Sequence, residues 1–100
     1  MKLKKCNSFQ KIIGLMFKTR NTDALLFEFS KPTKMAIHSF FVFFPFYAIW
    51  FDENNKMIEI KKVKPFTFNV KPKKSYKRLI EIPINNKHEK IIGKLLKSQA

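Results

Sequence analysis

The hundred residues contain two glycines, one cysteine, seven acidic side chains and only two arginines. Each shortage excludes a class of chemistry. Gly14 and Gly93 cannot build a loop whose backbone closes around a phosphate, and no GxSxG, P-loop or GxGxxG pattern occurs. Cys6 alone forms no intramolecular disulfide and no CxxC metal site, which fits a reducing compartment. Cys6, His38 and His88 share no ligand spacing, so neither a metal nor another cofactor is expected. The carboxylates are scattered, and no catalytic set can be assembled from them; the chain reads as a binder more than an enzyme. No long hydrophobic run is present either. The most apolar stretch, 37–52, "IHSFFVFFPFYAIWFD", has 16 residues and is interrupted by His38, Ser39 and Pro45. A helix that crosses the hydrocarbon needs about 20 apolar residues, so no transmembrane segment is expected. The start, "MKLKKCNSFQ", has the charge of a signal sequence without the apolar stretch that should follow, and reads as cytoplasmic.

What is present is apolar bulk and positive charge. Twelve phenylalanines and a 45% hydrophobic content are enough for the one modest core that a chain of this size can bury, so residues 1–100 read as a single domain. Aromatics at 15% also argue against intrinsic disorder. The net charge is +14 and unevenly spread: residues 1–30 have six basic and two acidic groups, 31–60 three of each, and 61–100 twelve basic and two acidic.

Pattern places the elements. "NSFQKIIGLMFK" predicts a short helix capped by Ser8, with Phe9, Ile12, Leu15 and Met16 on one stripe. "ALLFEF" predicts a strand closed by "SKPTK". Proline forbids one helix over 37–52, so that stretch predicts two buried strands, 37–44 and 46–52, with Pro45 at the bend. "DENNK" supplies a turn, and "MIEIKKV" returns as the second arm of a hairpin. Pro65 and Pro72 predict a loop or edge segment, and "YKRLIEI" a last strand with Tyr76, Ile80 and Ile82 on one face. "NNKHEKIIGKLLKSQA" predicts a helix capped at Asn86, with Ile91, Ile92, Leu95 and Leu96 inward and Lys87, Lys90, Lys94 and Lys97 outward. The expected fold is α+β: mainly antiparallel sheet, as a small barrel or strongly curved sheet, with a short helix near each end.

Together these pieces resemble a known family. "GLMF" at 14–17, "LLFEF" at 25–29, "FPFYAIWFDENNKMIEI" at 44–60 and the Ile80-Glu81-Ile82-Pro83 element are similar, in order and spacing, to the domain of unknown function 192. The run from His38 to Pro45 matches a His-x-Phe-Phe-x-x-Phe-Pro variant of it, and the likeness covers roughly residues 5–90. The resemblance implies a compact, mostly β domain with short helices and implies no reaction. Tyr47 stands where the family usually has aspartate, and Asn85 and Asn86 where it commonly turns with glycine. A site built on that aspartate would be missing here.

Two sets of candidate residues remain. His38, Asp52 and Glu81 are the polar groups beside or within the hydrophobic strands and would line a small-molecule pocket if the fold converged them. Asp52 also suits a turn, and His88, near a helix start, is expected to be exposed. The second set is Lys61, Lys62, Lys64, Lys71, Lys73, Lys74, Lys77 and Arg78, eight cations without an acid between them, interleaved with Phe66, Phe68 and Tyr76. Lysines meet phosphates and exposed rings meet bases, so nucleic acid is the partner this basic C-terminal half suggests, through the 61–78 segment and the Lys87, Lys90, Lys94 and Lys97 stripe of the last helix. The simpler account is charge alone. Lys, Ile, Asn and Phe make up 49 residues, all four are favoured by AT-rich codons, and arginine, the better bidentate reader, is scarce.

Overall fold

β-branched and aromatic residues in short runs, separated by Asn- and Pro-rich punctuation, fold into one five-stranded sheet. The computed structural model describes residues 3–5, 15, 18–19, 21–39 and 41–97. Its strands are β1 (Leu3–Lys5), β2 (Ala24–Thr33), β3 (Phe46–Phe51), β4 (Met57–Val63) and β5 (Tyr76–Pro83), in the order β1-β2-β5-β3-β4. β1 runs parallel to β2, and all other pairs are antiparallel. The sheet is open, with β1 and β4 at its edges, so the barrel alternative is set aside. A 3-10 turn (Asn86–His88) leads into helix α1 (Glu89–Lys97). The helix expected around Ser8 and Phe9 lies outside the described residues.

β4 and β5 coincide with "MIEIKKV" and "YKRLIEIP". Elsewhere the structure corrects the expectations. β2 does not stop before "SKPT" but runs through it to Thr33; a register shift between Glu28 and Thr33 takes up the irregularity, which is how Pro32, lacking an amide donor, is accommodated. The strand expected over 37–44 is not formed. Only Ile37 makes a bridge, to Val70, and the chain then turns, with Val42 N donating to Ser39 O at 3.1 Å and Phe41 at φ 56°. The apolar alternation survives without the ladder: Val42 and Phe44 point into the core while Phe41 and Phe43 point out.

Both faces of the sheet are covered. One carries Leu25, Phe27, Phe46, Ala48, Trp50, Val63 and Leu79, closed over by Val42 and Phe44 with Leu15 and Tyr76. Tyr76 therefore sides with Leu79 and not, as period two suggested, with Ile80 and Ile82. Those two join Ala24 and Ile49 on the other face, under Ile92 and Leu95 of α1. Leu96, expected inward, is exposed. The cap of the last helical segment is Asn85, not Asn86: its Oδ1 accepts from His88 N at 3.0 Å. His88, expected at the surface, is fully buried, with Nδ1 3.1 Å from Pro83 O. The tight 3-10 entry turns the imidazole back onto the end of β5.

Candidate binding surface and buried carboxyl

β5 lies between β2 and β3, and antiparallel register places Glu81 directly between Leu25 and Ala48 on a buried face. Glu81 is 5% exposed. Loss of hydration alone pushes its carboxyl up from 4.5 to about 8, so Glu81 is a neutral acid at pH 7. Tyr76 is packed edge-on against Trp50 at 6.3 Å and Phe29 at 5.6 Å, and its hydroxyl donates to Met35 O at 2.7 Å. Burial, then the Glu81 charge, pushes the phenol up to about 12; the nearby Trp50 indole slightly offsets this. That indole Nε1 is itself buried without a partner at hydrogen-bond geometry among the described residues. Tyr76 is thus a core residue and offers no ring to a ligand.

The other two pocket candidates lie elsewhere. Asp52 organises the β3–β4 turn: its Oδ1 accepts from Asn54 N and Lys56 N, each at 2.9 Å, and Asn55 takes the left-handed conformation at φ 61°. Glu81 pairs with Ala48, four positions along β3 from Asp52, which sets their backbones roughly 13 Å apart. His38 is exposed on the loop after Ile37. Among the described residues, no group of three His, Cys, Asp or Glu could hold a metal ion.

The cations separate into two kinds. Lys61 and Arg78 are already engaged. Lys61 Nζ donates to Lys71 O at 2.8 Å and lies 3.5 Å from Glu59 Oε2, while the other oxygen of Glu59 accepts from Lys73 N at 3.0 Å. Arg78 pairs with Glu28 at 3.3 Å and donates to Asn55 Oδ1 at 2.7 Å. Lys77 is half-buried. Lys62, Lys64, Lys71, Lys73 and Lys74 are exposed, and the Glu59–Lys61 clip fastens the last three to edge strand β4.

The structure adds residues that the sequence had assigned to the core. Phe41 and Phe43 are 47% and 62% exposed, beside Phe66 at 46%; Phe68, two residues further along the same loop, is 68% exposed. Phe66 meets Phe43 edge-on at 5.4 Å and Phe41 at 6.1 Å. Ser39, wholly buried, ties the two loops: its hydroxyl donates to Lys64 O and accepts from Thr67 N, both at 2.6 Å, and its carbonyl accepts from Phe66 N at 2.9 Å. Residues 41–44 are uniformly apolar, so the sequence held no signal separating the exposed Phe41 and Phe43 from the buried Val42 and Phe44.

An open five-stranded sheet with a helix on one face and phenylalanine-bearing loops on the other defines the class of small α+β domain to which the chain belongs. The profile of DUF192, described as "Uncharacterized ACR", matches residues 5–92, and the chain is a member of that family. It is similar to a UPF0127 protein from Thermococcus sibiricus, 31% identical over 78 residues, which span 76% of this chain and 50% of that protein. The chain thus spans about half the length of the curated relative it matches. A protein of unknown function from Novosphingobium aromaticivorans shares the fold at TM-score 0.72 and 17% identity, over 89% of this chain and 65% of that one. A proposed transcription regulator from Sinorhizobium meliloti does so at TM-score 0.72 and 13% identity, over 90% and 71%. No helix of the described residues is long and apolar enough to cross a membrane.

Proposed function

We propose that this chain is a cytoplasmic binding module, not an enzyme, and that it takes nucleic acid through the phosphates on the 61–74 surface. One observation supports this beyond net charge: the Glu59–Lys61 clip holds the exposed lysines of the 71–74 segment along β4, so they form an ordered array. An ordered array loses less side-chain and loop freedom on binding than lysines on a free tail. Lys61 fastens this surface, Arg78 is engaged by Glu28 and Asn55, and Lys62, Lys64, Lys71, Lys73 and Lys74 are the contacts. The test is titration of labelled single-stranded RNA and DNA at two salt concentrations, with the K71E/K73E/K74E variant alongside. Affinity should rise with strand length and persist at physiological salt. Each phosphate contact removed should lower the slope of log K against log salt by about 0.7. Binding that disappears at physiological salt without length dependence would leave only unspecific charge.

A second reading, a small-molecule binder or enzyme with its site at Glu81, is supported by the burial of this acid between Leu25 and Ala48. A ligand there would raise the melting temperature of the parent and not of Glu81→Gln; equal shifts in both would exclude it.

A further inference from the structure

We propose that Phe41, Phe43 and Phe66 form a base-stacking platform that makes the surface a reader of unpaired bases, favouring single strands over duplex. The proposal rests on the nucleic-acid reading above and adds the part of the ligand recognised. Three phenylalanines that are 46% to 62% exposed forgo burial worth about 25 cal/mol per Å² of apolar surface, and a contiguous exposed apolar group of this kind points to a binding site. Phe66 meets both Phe41 and Phe43 edge-to-face, at 71° and 74°, so the rings are not stacked in parallel on each other. The backbone holding them is strained: Phe41 and Phe66 both sit at φ 56°, a region that a bulky side chain seldom occupies. The strain persists because Ser39 bonds to Lys64, Phe66 and Thr67, and because Ile37 and Val70 exchange backbone hydrogen bonds of 2.7 and 2.8 Å. Strain of this kind gathers where a surface is preorganised for a ligand.

Charge selects the occupant. Exposed Lys64 lies on the loop that carries Phe66 and is bound through its carbonyl to Ser39, and the exposed Lys71, Lys73 and Lys74 continue that segment past Val70, so the chain that presents the Phe66 ring is positively charged. An uncharged apolar partner gains nothing from that charge. A single strand supplies a phosphate for each base, and an aromatic ring accepts any base face. In a duplex the faces are already stacked on one another, so the rings have nothing to receive.

The experiment compares the parent, F43A/F66A, F66W and K71E/K73E/K74E, each checked for retained fold by far-UV circular dichroism. The probes are oligo-U, an abasic strand of equal length, duplex DNA and phosphatidylserine vesicles. F43A/F66A should lose about tenfold or more in affinity for oligo-U, and the abasic strand should bind the parent no better than oligo-U binds that variant. F66W should keep its affinity, with its exposed indole quenched on binding, since Trp50 is fully buried and contributes no such change. If F43A/F66A binds oligo-U like the parent while the lysine variant fails, the platform is refuted and the phosphate surface stands. If the parent binds no oligonucleotide, both fail. Binding to vesicles alone would overturn the platform in favour of a lipid surface.

Discussion

Replacing Glu81 by glutamine should remove most of the pH dependence of stability between mild acid and mild base. The carboxyl has an ordinary value of 4.5 in the unfolded chain and is raised to about 8 in the fold, where it lies between Leu25 and Ala48 and is 5% exposed. Between those two values the folded protein holds one proton that the unfolded chain has released, so the unfolded state binds fewer protons and stability falls as pH rises. The contribution is fully present below pH 4.5 and is lost by the time pH has passed 8. The slope is about 1.4 kcal/mol per pH unit, and over the whole window the loss is about 5 kcal/mol. That is a large share of the 5–15 kcal/mol typical of a small domain. Urea unfolding followed by Trp50 emission reports the transition, because the indole is fully buried in the native state. The parent should lose stability across the window, and Glu81→Gln should lose far less, becoming the more stable of the two at the alkaline end. Tyr76, raised from 10.0 to about 12, weakens the fold only above that window. Parallel curves for the two proteins would refute the account of Glu81 as a desolvated acid.

Gly93→Ala should stabilise α1 by about 1 kcal/mol and raise the melting temperature, since a methyl group there meets nothing within 4 Å and alanine is the better helix former; a lowered melting temperature would contradict this. Ser39→Ala should cost about 1–3 kcal/mol in urea unfolding, because it leaves the Thr67 amide and the Lys64 carbonyl without their hydroxyl partner. The same change should quicken amide exchange at Thr67, and unchanged exchange would show that the hydroxyl is not what ties the loops.

Local pattern carried most of the sheet. The alternation and punctuation of "MIEIKKV" and "YKRLIEIP", and the Asn-rich turn between Asp52 and Lys56, specify a hairpin arm and a strand whatever lies beside them. The 37–44 run failed as a strand because propensity describes a residue's fit to a pleated surface and does not create a neighbour to pair with. β3 has β5 and β4 on its two sides, so the preceding phenylalanines fold over the face of the sheet. Tyr76 and His88 were misplaced for a related reason: irregular pairing at the start of β5 and the 3-10 entry to α1 each break the simple periodicity. Of the candidate site, the lysines and Phe66 were legible, and the exposure of Phe41 and Phe43 was not.

Composition and order alone determined that this chain carries a phenylalanine-rich core, a strongly basic last third and the marks of its family. They also determined that it lacks the glycines and cysteines that whole classes of chemistry need. Tertiary structure decided which of these residues meet. Glu81 became a neutral acid because two neighbouring strands exclude water from it, and Phe41 and Phe43 reached the surface because a buried serine, 25 or more positions upstream of its partners Lys64 and Thr67, bends the chain outward. Hydration and long-range hydrogen bonding depend on what lies alongside in space, and a one-dimensional pattern does not contain that.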